Sequence, residues 1–251
     1  MEPASELTRT WFLAAGDTDA EGRIPLPLVA RRIIELATEH ANALGIGYAA
    51  LVQKGIGWVL SRMSIEMYSF PGINSFYTLR TWIESYNRRF SERNFEMTDA
   101  DGNVIGRMRT VWAAIDFRRR TGADLSAVET ADIPISGREC PIDRTPRIPA
   151  LAPNTAAAEY TFRYCDLDFN RHVNTLKYIE LILDQWPLEQ YDRYIPRRFD
   201  ILFHHECLFG QTVTIRRNTE GGTSHIDIQH EGVRAVAAAI RWEERSPIAG
   251  E

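Results

Sequence analysis

Residues 160–184 read YTFRYCDLDFNRHVNTLKYIELILD, and residues 12–35 read FLAAGDTDAEGRIPLPLVARRIIE. Laid over each other, DTDAEGRI and DLDFNRHV place Asp17 on Asp166, Asp19 on Asp168, Glu21 on Asn170 and Arg23 on His172. A second match closes each half: RTVWAAIDF from Arg109 and RAVAAAIRW from Arg234. Two matches in the same order point to a duplicated unit of roughly 110–130 residues, a normal domain size. Each copy opens with a short strand, turns at D-x-D and runs into an apolar-periodic helix. Pro25 and Pro27 suit the start of the first helix, Val29, Ile33, Leu36, Ala37 and Leu44 its stripe, and Gly45 its end. Val173, Leu176, Ile179, Ile182, Leu183 and Trp186 form the second stripe, with Pro187 as its stop. Strand-like runs follow at 58–68, 76–86, 90–98 and 104–117, with Asp101-Gly102 as a hairpin turn, and again at 199–209, 212–218, 223–229 and 233–242. One helix with an antiparallel sheet in each copy makes the fold class α+β. The expected organisation is a first domain over 1–131, a Pro-rich linker over 132–153 and a second domain over 154–251.

Composition narrows the function. Of 251 residues, 44% are hydrophobic, 25% charged and 10% aromatic, which excludes disorder, a coiled coil and a collagen-like chain. The formal charge of −5 argues against a nucleic-acid partner, because phosphates are held by basic surfaces. No apolar run approaches the ~20 residues of a membrane helix, so no membrane insertion is expected. MEPASELTRTW lacks a basic segment followed by an apolar one, and Cys140, Cys165 and Cys207 form no CxxC pair. The expectation is a cytoplasmic protein with free thiols.

The second copy carries polar groups that the first has lost. Asp168, Asn170 and His172 sit at i, i+2 and i+4 ahead of the apolar helix. Free N–H groups at a helix start can stabilise an oxyanion, and a histidine moves protons near neutral pH. Asp168 can orient a group or attack, and Asn170 can hold a carbonyl or a water. The plainer reading is that Asp168 and Asn170 cap the helix and His172 is a buried, hydrogen-bonded histidine. A turn needs only its cap, however, and Asp19, Glu21 and Arg23 keep that cap without the Asn and His. A further cluster, His204-His205-Glu206-Cys207, lies in a strand-like run. Strand alternation would leave two metal ligands per face, too few for zinc, so neither metal nor cofactor is expected. The same alternation puts Cys207 on an apolar face with Ile201, Phe203 and Phe209, and makes Glu206 the better base.

These residues resemble the acyl-acyl-carrier-protein thioesterases of plants and bacteria. The family's D-x-N-x-H-V-N followed by Y-I is matched by Asp168, Asn170, His172, Val173, Asn174, Tyr178 and Ile179. Its Glu-Cys pair followed by Gly is matched by Glu206, Cys207 and Gly210. Thr175 departs from a second Asn of plant members, and Glu180-Leu181 from a Gly-Trp pair. The resemblance spans nearly the whole chain. It implies two tandem hotdog domains, each an antiparallel sheet wrapped around a helix, the first lining the acyl pocket and the second catalytic. It implies hydrolysis of acyl-acyl-carrier-protein to a free fatty acid, ending chain elongation, with Asp168, Asn170, His172 and Glu206 as catalytic residues. The family mechanism has been drawn as Cys-His-Asn or as carboxylate-centred, and the strand argument favours the carboxylate. Trp58, Met63, Ile65 and Phe76 are candidates to line the acyl slot, where each buried CH₂ is worth about 0.8 kcal/mol. The partner implied is an acidic carrier protein, for which Arg118-Arg119-Arg120, Arg88-Arg89 with Arg93, and Arg197-Arg198 are candidate contacts. The rivals are an acyl-CoA thioesterase or hydratase of the same fold and a non-catalytic acyl-binding protein. A monomer or a homodimer is compatible with the duplication.

Overall fold

A computed structural model describes residues 4–119, 121–124 and 133–245. The chain divides into two units, Met1–Arg144 and Thr145–Glu251.

In the first unit β1 (Glu6–Phe12) leads through a single 3-10 turn to α1 (Leu26–Ala43) and the short α2 (Tyr48–Val52). Then come β2 (Ile56–Met67), β3 (Phe76–Tyr86), β4 (Phe90–Asp99), β5 (Val104–Asp116) and the two-residue β6 (Thr121–Gly122). The strands pair antiparallel in the order β1-β3-β4-β5-β2, with β6 on β5. Pro25 and Pro27 flank the start of α1, and its apolar residues Val29, Ile33, Leu36 and Ala37 are buried. Its end is a Schellman motif: Gly45, at φ +73°, donates to the Asn42 carbonyl, and Ile46 to the Ala41 carbonyl. The buried sheet residues include Met63, Ile65, Leu79, Phe95 and Met97. Fully burying a side chain of this size contributes about 1.5–3 kcal/mol, so these residues hold helix and sheet together.

The second unit repeats the plan with a shorter helix. β7 (Ala157–Thr161) is followed by α3 (Thr175–Leu183), α4 (Leu188–Arg193), β8 (Tyr194–Phe203), β9 (Thr212–Glu220), β10 (Thr223–His230) and β11 (Val233–Glu244). Their order is β8-β11-β10-β9-β7, again antiparallel. α3 has 9 residues against 18 in α1. Trp186 therefore lies beyond α3, buried against Trp242, with ring centroids 5.1 Å apart. Pro187 caps α4 rather than simply ending a longer helix. Tyr178 ties α3 to the unit through Phe162 and Phe203, at ring distances of 5.7 and 6.1 Å.

The described part of the Pro-rich stretch, 133–153, forms no helix or strand, and each end is fastened to its own unit. Cys140 and Ile142 are buried with Trp82, whose indole N–H donates to the Arg138 carbonyl at 2.9 Å. Arg109 donates to the carbonyls of Cys140 and Ile142 at 2.7 and 3.0 Å. On the other side Ile148 is buried with Ala237 and Ala239, and Arg234 donates to the carbonyls of Ile148 and Pro149 at 3.0 and 2.8 Å. Arg109 and Arg234 are the residues that open the second sequence match. Each is anchored by a carboxylate of its own unit, Glu84 and Asp227 respectively.

One strand expectation is corrected. The run 199–209 is not a strand to its end: β8 begins at Tyr194 and stops at Phe203. There the ladder to β11 runs out, and the N–H groups of His204 and His205 both turn to the Ala235 carbonyl. Residues 204–207 form a loop, so alternation no longer assigns their faces.

Candidate active site

The site is built on two backbone segments of the second unit, brought together by an antiparallel bridge between His172 and Leu208. The first is the turn 166–173. Asp168 Oδ1 accepts from the N–H groups of Asn170 (2.8 Å) and His172 (3.0 Å), its N–H donates to the His172 carbonyl, and its carbonyl accepts from Arg171 N–H. An aspartate that folds back on its own chain in this way fixes a turn. The first unit draws the same pattern: Asp19 Oδ1 accepts from Glu21 and Arg23, both at 3.0 Å, and Asp19 N–H donates to the Arg23 carbonyl. Asp168 is therefore held as a turn former. It is not the helix cap; that cap is Asn174, whose side chain accepts from Leu176 N–H at 2.9 Å.

The second segment is the loop after β8. His172 Nε2 lies 3.3 Å from Glu206 Oε2, with both side chains partly accessible, 26% and 45% respectively. Asn170 is exposed at the tip of the turn, two residues before His172. The imidazole, a carboxylate and a carboxamide are thus presented to solvent from adjacent loops.

Cys207 points the other way. It is 1% exposed, and its carbonyl accepts from Val173 N–H. Burial pushes its thiol pKa up, with a contact to the Tyr178 hydroxyl only partly opposing that; the Tyr178 hydroxyl is itself pushed up by burial and by Cys207. A buried thiol with a raised pKa holds little thiolate, the form needed for attack. The apolar face expected for Cys207 includes buried Ile201, but Phe209 is 64% exposed because the loop, not a strand, carries it.

The start of α3 adds a donor. Asn174 N–H goes to the Asp166 carbonyl, Leu176 N–H to the Asn174 side chain and Lys177 N–H to the Asn174 carbonyl. Between them, the Thr175 N–H finds no acceptor among the described residues. In α1 the equivalent stretch is Pro25-Leu26-Pro27, where two N–H donors are missing altogether.

Comparison with known proteins agrees with this layout. Residues 5–128 match the model of the acyl-ACP thioesterase N-terminal domain, and residues 152–244 that of the C-terminal domain. The chain belongs to the acyl-ACP thioesterase family. A solved acyl-ACP thioesterase from Bacteroides thetaiotaomicron is 30% identical, with a TM-score of 0.89 over 95% of this chain and 98% of that one. The 12:0-ACP thioesterase from Umbellularia californica, at 18% identity and a TM-score of 0.88, shares the fold. Oleoyl-acyl carrier protein thioesterase 2 of Arabidopsis thaliana, a chloroplastic protein, is 27% identical over 71% of this chain and 53% of its own length. The chain spans between half and two thirds of such curated relatives. The α+β class and the two hotdog units expected from the sequence hold.

The remaining candidates divide. Met63 and Ile65 are fully buried, and Trp58 is half-buried with its indole N–H on the Ile46 carbonyl at 2.9 Å. Phe76 does not join them; it is 53% exposed and pairs with Phe12 of β1. Among the basic candidates, Arg93 is buried and bonds the His40 ring at 2.6 Å, and burial lowers its pKa to about 10. Arg198 is buried against Asp200, and Arg197 pairs with Glu243. Neither Arg93 nor Arg198 can meet a carrier. Arg88, Arg89, Arg118 and Arg119 are exposed, and Arg120 lies outside the described residues. Sequence reasoning pointed to N–H groups at the helix start without singling out Thr175. It also passed over Arg171, although the repeat sets that residue against Gly22.

Proposed function

We propose that this chain hydrolyses acyl-acyl-carrier-protein, releasing a free fatty acid and the carrier thiol and so ending acyl elongation. The observation that carries the reading is the His172–Glu206 pair beside Asn170, on a turn and a partner loop whose first-unit twins hold none of the three. Glu206 and His172 position a water and take its proton as the oxygen attacks the thioester carbon. The carbonyl oxygen, gaining charge, is held by the Asn170 amide and the Thr175 N–H. The C–S bond then breaks and His172 returns a proton to the leaving thiolate, so water and thioester become acid and thiol. Asp168 acts by holding the turn, and Cys207 stays a buried thiol. Of the first-unit candidates, half-buried Trp58 is the one offered for the acyl-chain wall, while Met63 and Ile65 pack helix against sheet.

No described helix is long and apolar enough to cross a membrane. The three free thiols fit a reducing compartment such as the cytoplasm. The test is a hydrolysis panel of acyl-carrier-protein thioesters of graded length, with acyl-CoA controls. Turnover on carrier-linked substrate supports the reading. Turnover confined to acyl-CoA gives the enzyme a different substrate, and none on either by folded protein makes it an acyl-binding protein.

A further inference from the structure

Arg171 has a backbone conformation that arginine rarely adopts. It sits at φ +65°, and Gly22, its counterpart in the first unit, sits at φ +69° in the same turn. Glycine takes this left-handed conformation without steric cost, whereas an L side chain is strained there. The strained residue lies between Asn170 and His172, next to exposed Phe169, and is itself exposed. Its guanidinium makes no ion pair or hydrogen bond with any described residue; only its backbone N–H is bonded, to the Asp168 carbonyl. Among the charged residues next to the reacting groups, Lys177 by contrast is tied to Asp166 and Glu180. Where glycine serves the twin turn, this one sets an exposed cation with no partner among the described residues between Asn170 and His172, placed to meet an anionic group of a bound substrate.

We infer that Arg171 is a positioning residue for the thioester, its guanidinium taking the phosphate at the far end of the substrate's pantetheine arm. This rests on the thioesterase reading of the same turn. A guanidinium matches phosphate by paired, charge-assisted hydrogen bonds. The contact is remote from the scissile bond, so it is made equally in the bound substrate and the transition state and acts on KM rather than kcat. The phosphate is shared by carrier-protein and CoA thioesters and absent from a thioester of N-acetylcysteamine.

The experiment compares wild type with Arg171→Gly, Arg171→Gln and Arg171→Lys on these three substrates with one acyl chain, and measures Tm. Arg171→Gly and Arg171→Gln are expected to raise KM about tenfold on both phosphate-bearing thioesters, with kcat within about twofold. KM on the N-acetylcysteamine thioester stays unchanged, and Arg171→Lys recovers most of the loss. Arg171→Gly also raises Tm by about 1–3 °C, because the strain is relieved, while Arg171→Gln does not. A residue kept for structure alone would lower Tm on replacement and leave the substrates indistinguishable, and that result overturns the inference. A KM change on the carrier-protein thioester alone also overturns it, placing the anion on the carrier's own surface. Wild type inactive on all three brings down the thioesterase reading itself.

Discussion

Bond by bond, the surroundings of the turn in the first unit can be laid on those of the turn in the second. Ile24 N–H goes to the Pro71 carbonyl as Val173 N–H goes to the Cys207 carbonyl. Arg23 bridges Gly72 as His172 bridges Leu208. Leu13 exchanges bonds with Ser75 and Asn74 as Phe162 does with Gln211 and Gly210. Even the left-handed residues match, Asn74 at φ +61° and Gly210 at +78°. Through this correspondence Phe70 occupies the place of Glu206, and Pro71 that of Cys207. What the units share is therefore the turn and its partner loop, including the aspartate. What separates them is a small set of side chains: Asn170, His172 and Glu206 against Glu21, Arg23 and Phe70. The scaffold tolerates either set, so the chemistry was gained or lost without rebuilding the backbone.

The sharpest way to break this comparison is to write the first unit's side chains into the second. His172→Arg with Glu206→Phe is expected to lower kcat by about 10³-fold or more, with Tm within about 3 °C of wild type. A collapse of Tm, read by calorimetry, would show that the pair holds the fold as well. The shared aspartates come next. Asp19→Ala and Asp168→Ala each remove an acceptor of two backbone N–H groups, at a cost of about 1–3 kcal/mol in denaturant unfolding. Asp168→Asn keeps an oxygen acceptor, and activity should stay within about tenfold; loss as complete as in His172→Ala would make that carboxylate a reacting group. Cys207→Ala is expected to cost less than about tenfold in kcat, since the buried thiol stays protonated. Equal loss in Cys207→Ala and His172→Ala would restore a thiol mechanism. In native protein an alkylating reagent followed by mass spectrometry should mark exposed Cys165 before Cys140 or Cys207.

The smallest effect concerns a residue that the second unit lacks. His40 of α1 is buried, donates through Nε2–H to the Ala4 carbonyl, and accepts at Nδ1 from the Arg93 guanidinium. Burial holds its pKa below the ordinary 6.5, and the Arg93 charge adds to that, against a raising pull from the Ala4 carbonyl and Glu6. The unfolded chain then binds the proton first. Its stabilising contribution is fully present above about pH 6.5 and is lost as pH falls toward the folded value. Tm measured from pH 7 to pH 5 should fall less steeply in His40→Gln than in wild type.

The repeat was legible because an aspartate accepting two backbone N–H groups is a local device, written within one turn of chain. The site's second loop was less so. Glu206 is partly exposed and Cys207 buried, but strand alternation is not the reason, because the β8 ladder ends at Phe203. Where a strand stops depends on its partner β11, which lies some thirty residues away in sequence. Of the two buried arginines, Arg93 shares that cause and Arg198 does not. Runs such as Arg197-Arg198 look exposed in sequence, yet Arg198 is buried against Asp200, a partner on the same strand. Arg93 is buried through a helix residue, His40, that no local reading of β4 contains. Arg171 could have been found by asking which position of the repeat exchanges glycine for a charge.

The arginines at the start of each closing match also bear on how the gene could be divided. A break between Arg144 and Thr145 leaves one fragment with Arg109 and the carbonyls of Cys140 and Ile142, and the other with Arg234 and those of Ile148 and Pro149. Neither half loses a clamp. A break between Gly137 and Arg138 instead strips Arg109 of both acceptors and Trp82 of its covering residues, leaving polar and apolar surface bare together. The seam for separate expression of the two halves therefore lies beyond the last carbonyl that Arg109 grips, not at the first proline of the connecting stretch.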